Sequence, residues 1–177
     1  MRPTIPLSRW RIALDLDATA DLHRLARPPA YNCPCEWCRN WHLAAKVVLP
    51  IDISDQLRRV GVDLLAPSDL YPHSAGEKTV AYRITYHCVG RILEGPSLFR
   101  EDPVIGRVRH YEELRASPAW LGLSVAYEAD LASVPPWAPA GVEPLVQVDF
   151  RAEVPWLLKE QQPSVAVPPS VKERSPS

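Results

Sequence analysis

The sequence predicts an α+β domain: an antiparallel sheet of four or more strands, arranged as a meander or a half-open barrel, with a two-helix insert after the first strand. Apolar and polar residues alternate in four segments, as in strands with one buried face: 10–17, 79–93, 121–131 and 146–156. Between the first two segments, apolar residues recur at the spacing of helices. Because buried parallel strands show continuous apolar runs, the alternation favours antiparallel pairing.

The helices are predicted from periodicity and from residues that start or stop a helix. A single helical turn is predicted over 21–26, and a short helix over 110–116 in the long connection before the last two strands. A longer helix, ending at Pro50, is predicted by a set of regularly spaced apolar residues: Trp37, Trp41, Ala44, Ala45 and Val48. The next helix is predicted with Ser54 as its N-cap and Gly61 at its C-terminal end.

The longest predicted strand, 79–93, has two faces of different character. Cys88 lies on the apolar face, whereas Arg83 and His87 lie on the polar face. Gly90 marks either a bulge or a close approach of another chain segment.

Length and composition predict one domain over 1–158, followed by a disordered Pro- and Ser-rich tail over 159–177. The formal net charge of −1 gives no basic surface for nucleic acid. No apolar run approaches the ~20 residues that span a bilayer, so we expect no membrane partner. The N-terminus lacks the apolar stretch of a signal peptide, which favours a cytoplasmic location and reduced thiols.

A cysteine-rich turn with the spacing C-x-C-x-x-C is the most informative chemical feature: Cys33, Cys35 and Cys38. Their sulfurs can converge on one point, and structural zinc sites take four thiolate or imidazole ligands. The candidates for the fourth ligand are His42, His87 and Cys88. Because Cys88 lies on the apolar face of its strand, where a cysteine is usually a packing residue, we predict a zinc site of Cys33, Cys35, Cys38 and His87. His42, four residues beyond Cys38 on the same helix face, remains an alternative.

Two other interpretations remain open. In the first, Cys35 and Cys38 form a thiol-redox pair, since a helix N-terminus favours a thiolate, although Glu36 opposes it. In the second, the protein is an enzyme with a pocket around His87, lined by Arg83 and by acidic strand residues that are more often solvated. No residue is singled out as catalytic or as binding an organic cofactor. The leading hypothesis is therefore a non-enzymatic, zinc-stabilised domain that binds an unidentified protein or small molecule, in an undetermined oligomeric state.

Four segments carry a resemblance to other proteins: 33–41 (CPCEWCRNW), 57–63 (LRRVGVD), 86–90 (YHCVG) and 145–158, which ends in VPWLL. In this order they resemble a group of small uncharacterised bacterial proteins with a C-x-C-x-x-C-x-N-aromatic turn, a YHxVG strand and a C-terminal PWxL strand end. The resemblance implies that the three cysteines and His87 belong to one pattern, but it implies no activity. This chain departs from the pattern at Cys88, where the group more often has an apolar residue.

Overall fold

The computed structural model describes residues 2–25, 33–96, 99–104, 106–115, 120–127, 138 and 144–165. The helices are α1 (Leu16–Leu25), α2 (Glu36–Val48) and α3 (Ile51–Arg59). The strands are β1 (Thr4–Leu7), β2 (Trp10–Leu14), β3 (Asp69–Ala75), β4 (Thr79–Glu94), β5 (Phe99–Asp102), β6 (Gly106–Arg109), β7 (Glu112–Arg115), β8 (Leu121–Tyr127) and β9 (Leu145–Pro155). The predicted α+β class is confirmed.

The strands form a large antiparallel sheet in the order β1-β2-β4-β9-β8-β7, with β3 also pairing with β4. Its centre is the pairing of β4 with β9, which runs from Thr79 opposite Pro155 to Val89 opposite Leu145. These two strands are distant in the chain, so the sheet is not a simple meander. Strands β5 and β6 form a separate two-stranded sheet.

The hydrophobic core lies on one face of this sheet, where α2 and α3 cover it. Trp41 of α2 is fully buried, and its indole N–H donates to the Leu64 carbonyl at 3.1 Å. The Tyr86 hydroxyl donates to the same carbonyl at 2.7 Å from the sheet side. Burying each such aromatic or aliphatic side chain contributes roughly 1.5–3 kcal/mol, so this face holds the helices in place.

Helix α1 completes one edge of β4. Strand β3 pairs with β4 as far as Thr85, and β2 pairs with it from Gly90 onward. Between these partners, the Val89 N–H donates to the Thr19 hydroxyl at 3.0 Å, and the His87 carbonyl accepts from the His23 ring at 2.9 Å. The helix thus satisfies backbone groups that would otherwise be buried without partners.

The predicted helix over 110–116 is wrong, because β7 occupies Glu112–Arg115 and pairs with β8. The helical insert also differs: a further strand precedes β2, and three helices, α1 to α3, follow it. Helix α3 begins at Ile51, so Ser54 lies within the helix and is not its N-cap. The last part of the predicted strand 121–131 lies outside the described residues.

Two further sequence expectations concern Gly90 and the tail. A Cβ atom at Gly90 would stand 2.3 Å from the Ala13 carbonyl oxygen, so the close approach of another segment is confirmed. In the tail, residues 159–165 carry no helix or strand, yet Gln162 donates to the Thr79 carbonyl at 3.3 Å. Residues 166–177 lie outside the described part. No helix in the described part of the chain is long and apolar enough to cross a membrane.

Candidate metal centre

The three cysteines of the C-x-C-x-x-C turn come together at the start of α2. Their sulfur atoms all lie within 4.8 Å of one another, and those of Cys33 and Cys35 are 3.1 Å apart. Cys35 is the N-cap of α2 in an extended conformation, and its side chain makes no capping hydrogen bond. Its thiol is therefore directed to the other cysteines. Cys38, in the first turn of the helix, is buried, whereas Cys33 and Cys35 are half-buried.

The three thiols differ in ionisation. Contacts with the Cys35 thiol and backbone lower the pKa of Cys33 from its ordinary value. Burial, reinforced by the neighbouring cysteines, raises the pKa of Cys38. Cys33 therefore ionises more readily than Cys38, and the positive charge of a bound cation would favour ionisation of the buried Cys38.

The residues that follow the cysteines attach this turn to the sheet. The Tyr82 hydroxyl of β4 donates to the Trp37 carbonyl at 3.0 Å, and the Trp37 ring packs edge-on against Trp156 at 5.4 Å between centroids. The Asn40 side chain is fully buried: it donates to the Pro155 carbonyl at 3.0 Å and accepts from the Leu157 N–H at 2.7 Å. The cysteine turn is thereby fixed beside the start of β4 and the end of β9.

A further contact holds the described part of the tail against the same region. The Arg39 guanidinium forms an ion pair with Glu160 at 2.7 Å, on the exposed side of α2. The Trp156 indole N–H donates to the Glu160 carbonyl at 2.8 Å. Residues 156–160 therefore run alongside the N-terminal half of α2.

The structure does not bring any of the three candidate fourth ligands into the cysteine group. His87 lies on the opposite face of the sheet from α2, five residues along β4 from Tyr82, which is about 16 Å of strand. Cys88 lies on the core face, where it lines a small apolar cavity with Ile12, Leu57 and Val148. Burial raises the pKa of Cys88 to about 12. His42 is half-buried, and its Nε2 makes no hydrogen bond.

The polar face of the sheet holds a second group of functional side chains, around the fully buried Asp149. Its carboxylate accepts from Thr85 at 2.5 Å and from Gln147 at 2.6 Å. It also accepts from Arg83 through two nitrogens, at 3.2 and 3.3 Å, and pairs with Arg109. Alternation along 146–156 places Asp149 on the polar side of its strand, but it does not indicate that Asp149 is buried.

His87 lies on this polar face and is 3% exposed. Burial, followed by the effects of His23 and Arg109, lowers its pKa to about 3, so the ring is neutral near pH 7. Neither ring nitrogen makes a hydrogen bond of good geometry with a described residue, although the Gln147 side chain approaches the ring. Among the described residues, no nucleophile or carboxylate is hydrogen-bonded to the His87 ring.

Comparison with known proteins identifies no relative: no protein-family model, no curated protein and no solved structure matches this chain. The functional argument therefore depends on the arrangement of the described residues.

Proposed function

We propose that this domain binds one Zn²⁺ through Cys33, Cys35 and Cys38, and that the metal stabilises a surface for partner or ligand binding. The observation that carries the proposal is the convergence of three sulfur atoms within 4.8 Å. A tetrahedral zinc site with Zn–S distances of about 2.3 Å has S···S edges of about 3.8 Å, so sulfur atoms this close need only small shifts to bind one zinc ion. Among the described residues, this is the one group of three or more metal-ligating side chains with that geometry.

The chemistry of the ligands selects the metal. Sulfur ligands favour zinc over magnesium or calcium, which prefer oxygen. Three protein ligands leave the fourth tetrahedral position to water or to a group from a bound molecule. When bound, the metal would supply positive charge that stabilises the three thiolates together.

The experiment is metal analysis of protein purified without a histidine tag. We expect about one zinc per chain in the wild type and loss of most of it in Cys38→Ser, because two thiolates bind zinc far more weakly than three. Cys88→Ala is the matched control, since Cys88 is equally buried but lies in the apolar core, and it should retain the metal. His87→Gln should also retain it.

Two results would contradict the proposal. One is a wild-type protein that is cooperatively folded, contains no zinc and shows no change in melting temperature when zinc is added. The other is equal zinc loss in Cys38→Ser and Cys88→Ala. Zinc loss in His87→Gln would instead assign His87 as the fourth ligand, against its position on the opposite face of the sheet.

The second candidate function is thiol–disulfide exchange, which the 3.1 Å contact between Cys33 and Cys35 favours. The raised pKa of Cys38 disfavours it as the attacking thiol, whereas the lowered pKa of Cys33 favours that residue. Thiol labelling of zinc-free protein against pH, with Cys33→Ser as the control, tests this alternative. An ordinary labelling curve, centred near pH ~8.5, would exclude it.

A further inference from the structure

Two arginines face each other across the centre of the sheet, on the face opposite to α2 and α3. Arg83 of β4 is directly opposite Arg151 of β9. Like charges in directly opposite positions destabilise a strand pair. Arg151 is exposed and forms no ion pair with any residue in the described ranges. The Asp149 carboxylate pairs with Arg83 but not with Arg151, so the positive charge of Arg151 has no partner in those ranges.

Asp149 and Tyr71 fix the orientation of the Arg83 side chain. Its Nε and Nη2 donate to the Asp149 carboxylate, and its Nη1 donates to the Tyr71 hydroxyl at 2.8 Å. A guanidinium has five N–H groups, so two of them have no acceptor among the described residues. Asp149 is fully buried and holds Arg83 in this orientation. The ion pair leaves two Arg83 N–H groups available to a ligand.

The neighbouring strand adds aromatic and titratable groups to the same area. Tyr71 of β3 lies opposite Arg83, whose guanidinium lies over its ring at 5.8 Å. The His73 ring packs against Tyr71 at 4.9 Å. Burial, followed by the positive charges of Arg151 and Arg83, lowers the pKa of His73. The electrostatic environment of this area is therefore positive, although the chain as a whole is slightly acidic.

Deeper on the same face, two buried polar side chains have no hydrogen-bond partner among the described residues. Ser124 of β8 lies directly opposite Asp149 and is 1% exposed. Its hydroxyl makes no hydrogen bond, and neither do the ring nitrogens of His87. The polar character of this face therefore extends from the arginines to Ser124 and His87.

We propose that this face binds the oxyanion group of a small molecule, a phosphate or a carboxylate, between Arg83 and Arg151. The anion would pair with Arg151 and with the two N–H groups of Arg83 that have no acceptor among the described residues, and the planar guanidinium matches two oxygens of either group. Tyr71 holds Arg83 from the side, and Asp149 is a positioning residue that acts through Arg83. The site is separated from the cysteine group by the sheet and does not depend on the proposed zinc.

The test is titration of the full-length protein with inorganic phosphate and, separately, with acetate, both at constant ionic strength. Binding is measured by calorimetry and by the change in melting temperature. In the wild type, we expect saturable binding and a rise in melting temperature with one of the two probes, which identifies the oxyanion. In Arg151→Gln, two changes of opposite sign are expected. The melting temperature without anion rises, because the like-charge pair is removed, and the affinity falls at least about tenfold.

The matched control is Arg59→Gln, since Arg59 is also exposed but lies at the end of α3 on the other side of the sheet. It should leave both the melting temperature and anion binding unchanged. Cys38→Ser should retain anion binding, which separates this site from the metal centre. The proposal is overturned if neither probe binds the wild type at millimolar concentration, or if Arg151→Gln and Arg59→Gln bind the anion equally well.

Discussion

Asp149 shows how much a single residue depends on its surroundings. Its carboxylate is fully buried and accepts hydrogen bonds from Thr85, Gln147 and Arg83, besides its pairing with Arg109. Removing one partner of a buried ion pair leaves the other charge without compensation. The stability of the polar face therefore depends on this one negative charge.

Asp149→Asn should destabilise the protein by about 3–5 kcal/mol, because it leaves Arg83 and Arg109 beside a neutral amide. The control is Glu153→Gln, four residues along the same strand and exposed, which should change the free energy of unfolding by less than about 0.5 kcal/mol. Urea unfolding of the three proteins at pH 7 measures both effects. If the two variants were equally stable, the buried network would not contribute to folding.

The contrast between Asp149 and Arg151 also limits what the sequence could predict at this scale. Both occupy the polar side of one alternating strand, so periodicity predicts the same environment for each. Asp149 is nevertheless fully buried and Arg151 exposed. The difference arises from which elements cover each position, including the Arg109 side chain of β6, and these elements are distant in the sequence.

At the scale of the element, helix α1 acts as a partner for a strand edge. The Thr19 hydroxyl, which is fully buried, accepts from the Val89 N–H at 3.0 Å. The Asp15 N–H donates to the Val89 carbonyl at 2.8 Å. No pattern in the sequence predicts this, because a threonine in an amphipathic helix is equally compatible with exposure.

Thr19→Val removes the acceptor while preserving the shape of the side chain. It should cost about 1–3 kcal/mol, since a buried N–H loses its partner. Thr19→Ser, which retains the hydroxyl, should keep the hydrogen bond and lose only a methyl group. Hydrogen exchange at the Val89 amide gives the specific readout: it should be faster in Thr19→Val than in Thr19→Ser. Equal exchange rates in the two variants would show that α1 does not protect this edge.

Helices and strands with long periodic patterns of apolar residues were predicted correctly, whereas the short strand β7 was not. Helix α2 and strands β4 and β9 were predicted because many residues repeat one period, and each buries a continuous apolar side. Strand β7 was predicted as a helix because Glu112, Glu113 and Leu114 favour helices in isolation. Its pairing with β8 overrides that preference.

At the scale of the whole molecule, the sheet separates two chemical environments. The cysteine group and the apolar core lie on one side, and the Asp149 network with His87 lies on the other. The sequence predicted the cysteines as a group because they are adjacent in the chain. A ligand contributed by a distant strand depends on which face of the sheet the helix covers, and periodicity does not specify that choice.

The buried histidines near the polar face make the stability of the protein depend on pH independently of the cysteines on the other face of the sheet. His87 has a pKa lowered to about 3 in the folded protein, from an ordinary value of 6.5. Burial also lowers the pKa of His23, whose ring contacts the His87 carbonyl. Both rings bind a proton less readily in the folded state than in the unfolded state. The free energy of unfolding that these neutral rings contribute is therefore fully present above about pH 6.5. It is lost as the pH falls from about 6.5 toward their lowered pKa values.

Comparison of the wild type with His87→Gln isolates this effect, because the variant cannot titrate at that position and retains the same cysteine group. Between about pH 5.5 and 4, the wild type should lose about 1.4 kcal/mol more stability per pH unit than the variant, which is the slope for one proton taken up on unfolding. Urea unfolding at half-unit intervals of pH provides the measurement, and subtracting the two curves removes acid effects common to both proteins. Parallel curves over this range would mean that His87 titrates normally, and hence that the polar face admits enough water to hydrate a charged imidazole.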